Sequence, residues 1–271
     1  EALDLMQLAE EKNVLCASSY GYSGYPMIRQ ARAMVAGGEL GEIRVVQTEF
    51  AHGNCATAVE KHSEGAAWRN DPKTSGGTFV LGDLGTHALH LATLITGQQV
   101  HQVSADCQSF VEGRVLEDNA HVLLRFEGGA AGYLWASGVA VGHRHGLAIR
   151  VFGSKAGIEW HQERPNQLLY SPLGETPLVL ELDSPELHPA AKRLLSVRAG
   201  HPEGYFEAFS NIYSDFAEVL LAKFSGNIPD PASMDFPTLE DGAQGVRFLE
   251  ACVESAENKG CWVNSKLSDS E

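Results

Sequence analysis

Paired cysteines, a long apolar run and an excess of basic charge are all missing from this sequence. The five cysteines (Cys16, Cys55, Cys107, Cys252 and Cys261) are odd in number, widely scattered and free of any CxxC spacing, so neither a disulfide framework nor a zinc ribbon is indicated. They read as reduced thiols. No run approaches the roughly 18–20 apolar residues that span a bilayer, and the N-terminus lacks the basic-then-apolar order of a signal peptide. A cytoplasmic location with no membrane association is expected. Twenty lysines and arginines face 35 acidic residues, for a formal charge of −15, a balance that repels phosphate backbones and anionic lipid surfaces. Nucleic acid is not an expected partner.

What is present is the composition of a globular protein: 271 residues, 44% hydrophobic and 20% charged, enough for one large domain or two small ones with a sizeable core. Leu3, Leu5, Met6, Leu8 and Ala9 repeat at helical spacing. That pattern is already under way at Glu1, and the sequence reads as cut from something longer. The apolar "NVLCASS" (13–19) suits a buried strand, "GYSGYP" a turn, and Met27, Ile28, Ala31, Met34 and Val35 a helix closed by Gly37-Gly38. Residues 1–40 therefore read helix, strand, helix.

Beyond residue 42 the texture turns to β. "IRVVQTEF", "HQVSADC", "HVLLRF", "AAGYLWAS", "LAIRVFG" and "LVLEL" are strand-length and rich in β-branched and aromatic residues, with a hairpin at Gly128-Gly129. Helical patterns at Tyr205–Phe224 and Leu239–Ala256 flank the proline-rich loop "NIPDPASMDFP", and "NSKLSDSE" is expected to fray. The expected fold class is α+β, an open and largely antiparallel sheet of about six strands flanked by helices over residues 41–271. Residues 1–40 are the exception, with the texture of an α/β layer.

The segment "GDLGTHALH" (82–90) carries two titratable groups inside an apolar helical pattern. At about 100° per residue, His87 falls about 40° round the helix from Asp83, while Leu84, Ala88, Leu91 and Ile95 cluster at about 80–140°. The pair therefore sits on the rim of the buried stripe. There a histidine can be desolvated and still touch a ligand, with a carboxylate one turn away to tune it. A structural reading also stands, with Asp83 as a helix cap and His87 as a half-buried packing residue. Just upstream, Trp68, Arg69, Asp71 and Gly76-Gly77 lie in a loop rich in groups that bind polar hydroxyls.

The run from Trp68-Arg69 through Asp71-Pro72, Gly76-Gly77, Asp83, Gly85 and His87 to "LATLITG" resembles the Gfo/Idh/MocA oxidoreductases. So do "MIRQARAMVAGGELGEIRVVQTEF" (27–50), "VFGSKAGIEW" (151–160) and "FPTLEDGAQGVRFLEACVESAENKG" (236–260). The resemblance implies an enzyme that uses NAD or NADP on sugars, cyclitols or related polyols, with its substrate site and a homo-oligomer interface on the sheet domain. It implies that 1–40 are the end of a Rossmann-type dinucleotide-binding domain. His87 would exchange a proton with the substrate hydroxyl, and Asp83 would bond the substrate or hold His87. Tyr20, Tyr22, Trp68, Arg69, His201 and Tyr205 would contact substrate, although Tyr20 and Tyr22 also read as turn aromatics and Glu203 as a residue favouring a helix N-terminus.

The sequence departs from the family where the dinucleotide should sit. There is no GxGxxG, since "GYSGYP" has the wrong spacing and position, and the family's Glu-Lys-Pro motif is absent. These residues alone are expected to bind dinucleotide weakly or not at all and to be inactive. Two other classes stay open: a metal-dependent isomerase or hydrolase using Asp83, His87, His143, His145 and His201, and a non-catalytic polyol-binding or dimerisation module.

Overall fold

Alternating buried and exposed side chains, as in Asn119–Phe126, require a sheet with one covered face and one open face. The computed structural model describes residues 1–267 and contains that sheet. Its strands are β1 (Ile43–Ala51), β2 (Val100–Gln108), β3 (Asn119–Phe126), β4 (Ala131–Ser137), β5 (Gly146–Gly153), β6 (Ala156–His161), β7 (Gln167–Pro172), β8 (Leu178–Glu181) and β9 (Val263–Asn264). They lie in the order β8-β7-β6-β5-β1-β4-β3-β2-β9. All neighbours are antiparallel except β1 and β4, which run parallel with Val45 opposite Ala131. The fold is α+β, as expected.

Five longer helices complete the chain: α1 (Ala2–Glu11), α2 (Pro26–Ala36), α3 (Thr86–Thr96), α4 (Tyr205–Ser225) and α5 (Leu239–Glu257). Each uses sequence punctuation to start or stop. Pro26 opens α2, Gly97 closes α3 at φ 65°, and Thr238 and Asp241 satisfy each other's backbone N–H at the start of α5. Helix α3 packs on β1, β4 and β5, while α5 covers β2. Phe50, Phe126, Trp160, Phe248, Met27, Ile28 and Leu91 are fully buried between these layers, and each contributes roughly 1.5–3 kcal/mol by leaving water.

Two ionic clusters tie the layers together. The buried Arg29 guanidinium of α2 reaches Asp215 of α4 at 3.1 Å, and Arg193 bonds the same carboxylate. Arg114 meets Asp118 at 3.1 Å and Glu60 at 2.8 Å, and also donates to the carbonyls of Cys55 and Thr57. The second cluster pins the segment after β1 to the turn between β2 and β3.

Three expectations are corrected. Residues 13–19 form no strand: Val14 is exposed, and no neighbouring strand supplies the ladder that a strand needs. The described residues hold nine strands rather than about six, because β6, β7 and the two-residue β9 are recruited by pairing. Glu203 makes no hydrogen bond to the start of α4; its buried carboxylate accepts the Ser196 N–H at 2.7 Å, and Glu207 accepts the Gly204 N–H. Of the tail expected to fray, Asn264 is paired in β9, and residues 268–271 lie outside the described residues.

Candidate active site

The segment leading into α3 does not wind as a regular α-helix. Leu81–Gly85 form a π-helical turn that runs directly into Thr86–Thr96, so Asp83 and His87 straddle a change of helical pitch. Such turns concentrate at functional sites. Glu117, remote in sequence, holds the entrance: its Oε1 accepts the N–H groups of Phe79 at 2.8 Å and Leu81 at 2.9 Å. Burial pushes its carboxyl up to about 7, against the pull of those two donors and with some help from neighbouring Asp118.

His87 is half-buried, and its Nδ1 is enclosed without a hydrogen-bond partner. The rings of Tyr20 and Tyr22 stand edge-on to it at 5.4 and 5.0 Å. Burial draws the imidazole down to about 4, with Asp83 opposing that shift and His145 adding to it. The ring is therefore neutral at physiological pH, the state that accepts a proton. His90, one turn further on, is fully enclosed and stacked on Tyr20 at 4.5 Å; it too is held near 4 by burial.

Asp83 does not cap a helix. Its Oδ1 accepts from Arg69 Nε at 3.2 Å, and the Arg69 guanidinium lies 4.7 Å over the indole of Trp68. Asp83 therefore acts on His87 through its charge rather than as a hydrogen-bonded support. Trp68, Arg69 and Asp83 are linked in one chain of contacts, and Asp83 reaches His87 through its charge alone.

Tyr22 is the hub. Besides His87 it meets Phe50 of β1 at 5.6 Å, Tyr205 at the start of α4 at 5.9 Å, and His145, whose Nε2 is 2.8 Å from the Tyr22 hydroxyl. Burial raises the Tyr22 pKa well above its usual range, so the phenol stays protonated while it shares a hydrogen bond with His145. His52, just past the end of β1, is buried as well; burial lowers its pKa while Asp83 opposes the change. Sequence reasoning missed His52, and it treated His145 only as part of an HxH pair. Neither has a spacing that reveals it, because each is delivered by a different strand end.

His201 is not brought to this cluster. Its Nδ1 pairs with the Arg198 carbonyl at 3.1 Å, and the ring lines a separate cleft with Arg164, Gln167 and Glu181. The proposed HxH chelate also comes apart. His143 is exposed with its ring against Trp135, whereas His145 is committed to Tyr22. Among the described residues no group of three or more His, Cys, Asp or Glu side chains is placed to hold a metal ion.

A dinucleotide needs a glycine-rich turn whose backbone can approach its pyrophosphate. The glycines of "GYSGYP" serve another purpose. A Cβ on Gly21 would fall 2.1 Å from the Phe209 ring, and one on Gly24 would fall 1.9 Å from the Ala208 carbonyl. Both glycines let this turn press against α4, and they leave no cradle for a pyrophosphate.

Comparison with known proteins agrees with this architecture. The GFO/IDH/MocA C-terminal domain matches residues 28–159. The uncharacterized oxidoreductase YfiI of Bacillus subtilis is 40% identical over 269 residues, which span 98% of this chain and 68% of that protein. An inositol dehydrogenase homolog from Azotobacter vinelandii, solved with NAD+, is 44% identical with a TM-score of 0.91, covering 97% of this chain and 68% of its own. An inositol dehydrogenase homolog from the same organism, solved with NADH and myo-inositol, gives 42% identity and a TM-score of 0.87 at the same coverages. The chain belongs to the Gfo/Idh/MocA family of oxidoreductases.

Proposed function

We propose that the chain is the substrate-binding part of an NAD(P)-dependent dehydrogenase acting on a hydroxyl or carbonyl of a sugar, cyclitol or related polyol. The observation that carries this reading is His87: an imidazole kept neutral by burial and ringed by tyrosines, with a carboxylate near enough to favour its protonated form. Oxidation of a carbinol takes hydride from the carbon and a proton from the hydroxyl oxygen it bears, and a neutral histidine can receive that proton. Asp83 then stabilises the imidazolium. Arg69, Trp68, Tyr22 and Tyr205 would line the polyol, with His52 and His145 beside them.

The glycines of the 21–24 turn are packed against α4, and the matched relatives are longer than this chain. The reaction proposed is that of a protein of the relatives' length, with the dinucleotide held outside these 271 residues. NAD is favoured over NADP by the neighbours solved with NAD+ and NADH. Self-association through the open face of the sheet, and a cytoplasmic location, belong to the same proposal.

The test is polyol-dependent reduction of NAD+ or NADP+ by the protein at its relatives' length, comparing wild type with His87→Ala. The expected outcome is a fall in kcat of about 10²–10⁴-fold with the KM for NAD+ nearly unchanged. Wild-type turnover surviving in His87→Ala would remove His87 from the chemistry. Absence of any polyol-dependent reduction in the wild type would remove the reaction class.

A further inference from the structure

A helix start leaves several backbone N–H groups without partners, and a nearby side chain normally satisfies them. The start of the segment carrying Asp83 and His87 has no such local cap. Its donors are met from another layer of the chain by a single residue. Glu117 Oε1 accepts from Phe79 and Leu81, and the Glu117 main-chain carbonyl accepts from Val80 at 3.4 Å. Three successive N–H groups are thereby gripped by one residue that lies just ahead of β3 and is itself buried. The next residue, Asp118, is fixed in turn by Arg114 and by the N–H groups of Phe110 and Val111. The grip is therefore anchored on rigid scaffold.

We infer that Glu117 is a positioning residue for the Asp83–His87 pair, acting as a remote cap that fixes the pitch and rotation of the π-helical turn. The geometry requires it to act through the backbone. It touches neither Asp83 nor His87 in any hydrogen bond, but the Asp83 N–H bonds the Phe79 carbonyl at 2.9 Å, one peptide from the gripped donors. Releasing Phe79 and Leu81 would let the turn rewind towards regular α geometry. That would rotate Asp83 relative to His87 and to its partner Arg69. Active-site groups lose function when displaced by as little as about 1 Å.

This inference rests on the reading of Asp83 and His87 as the proton-handling pair, and two conservative variants separate it from that reading. Glu117→Gln keeps the length and an acceptor oxygen; Glu117→Asp keeps the charge but withdraws it by one methylene. Backbone hydrogen exchange of residues 79–83 is measured in each variant, alongside kcat and KM for NAD+ with myo-inositol as the probe substrate, in the protein of the relatives' length. Glu117→Gln is expected to keep wild-type protection and a kcat within about threefold. Glu117→Asp is expected to exchange at least about tenfold faster at these amides and to lose at least about tenfold in kcat, with KM for NAD+ unchanged.

Glu117→Asp retaining both protection and kcat would overturn the inference, and so would Glu117→Gln falling as far as Glu117→Asp. Loss of protection in Glu117→Asp without loss of kcat would overturn the functional half. A wild type inactive on polyols would instead count against the proposed reaction, while the exchange measurement still decides whether Glu117 holds the turn.

Discussion

At the scale of single residues, the site works by keeping a base uncharged. His87 is drawn from 6.5 to about 4 chiefly because its environment cannot solvate the charged ring. Between pH 6.5 and 4 the unfolded chain binds a proton that the folded chain refuses, so stability falls as pH drops through that window. The shift amounts to about 3 kcal/mol once pH is below 4, and enclosed His90 pushes in the same direction. Proton NMR of the His87 ring is expected to show a midpoint below pH 5. A midpoint near 6.5 would mean that the ring is open to water and that burial does not poise it.

At the scale of elements, the positions of the functional groups depend on close approach between segments distant in sequence. The turn at 21–24 carries Tyr22 into the site only because two glycines let it touch α4. Gly24→Ala is expected to cost about 1–3 kcal/mol, lowering Tm by several degrees, because its Cβ would strike the Ala208 carbonyl. Gly38→Ala, at φ 75° with open space around it, should pay only the smaller backbone penalty of about 1 kcal/mol. Equal melting temperatures for the two variants would show that the turn does not need this contact.

The same distinction explains what could be read from the sequence. β1 to β5 and β8 were legible as strand-length runs rich in β-branched and aromatic residues, and α4 and α5 because their apolar residues recur at helical spacing. Asp83 and His87 stood out as titratable groups in an apolar helix. The π-helical turn was not legible, since its pitch is set by Glu117, more than thirty residues away. His52 and His145 enter the site from strand ends, and no local period marks them. The segment 13–19 has the composition of a strand, but composition cannot provide a neighbour to pair with. His201 showed the opposite error: closeness in sequence to Tyr205 did not carry it into the same cleft.

At the scale of the whole molecule, one face of the sheet is packed under helices and the other is open. On that open face Val45, Leu123 and Phe152 are 39%, 49% and 41% exposed, beside a row of stacked rings from His121, Tyr133 and Trp135. If copies associate there, light scattering should report a particle larger than the 29.2 kDa chain, and Leu123→Arg should shift it towards the monomer without changing Tm. A wild type that scatters as a monomer at micromolar concentration would rule this face out as the interface.

The place of β1 in the sheet also bears on how the molecule is made. It is synthesised before the other strands of this sheet yet lies between β4 and β5, with Val45 paired to Ala131 and Ile43 to Gly153. On the ribosome it must wait for about 100 further residues, roughly 5–20 s at ordinary elongation rates, before both of its edges can be covered. Pairings this distant are slow to form. Until then Val46, Phe50 and the unpaired backbone around them form an aggregation-prone strand, and survival of the nascent chain depends on how quickly the later hairpins close over it.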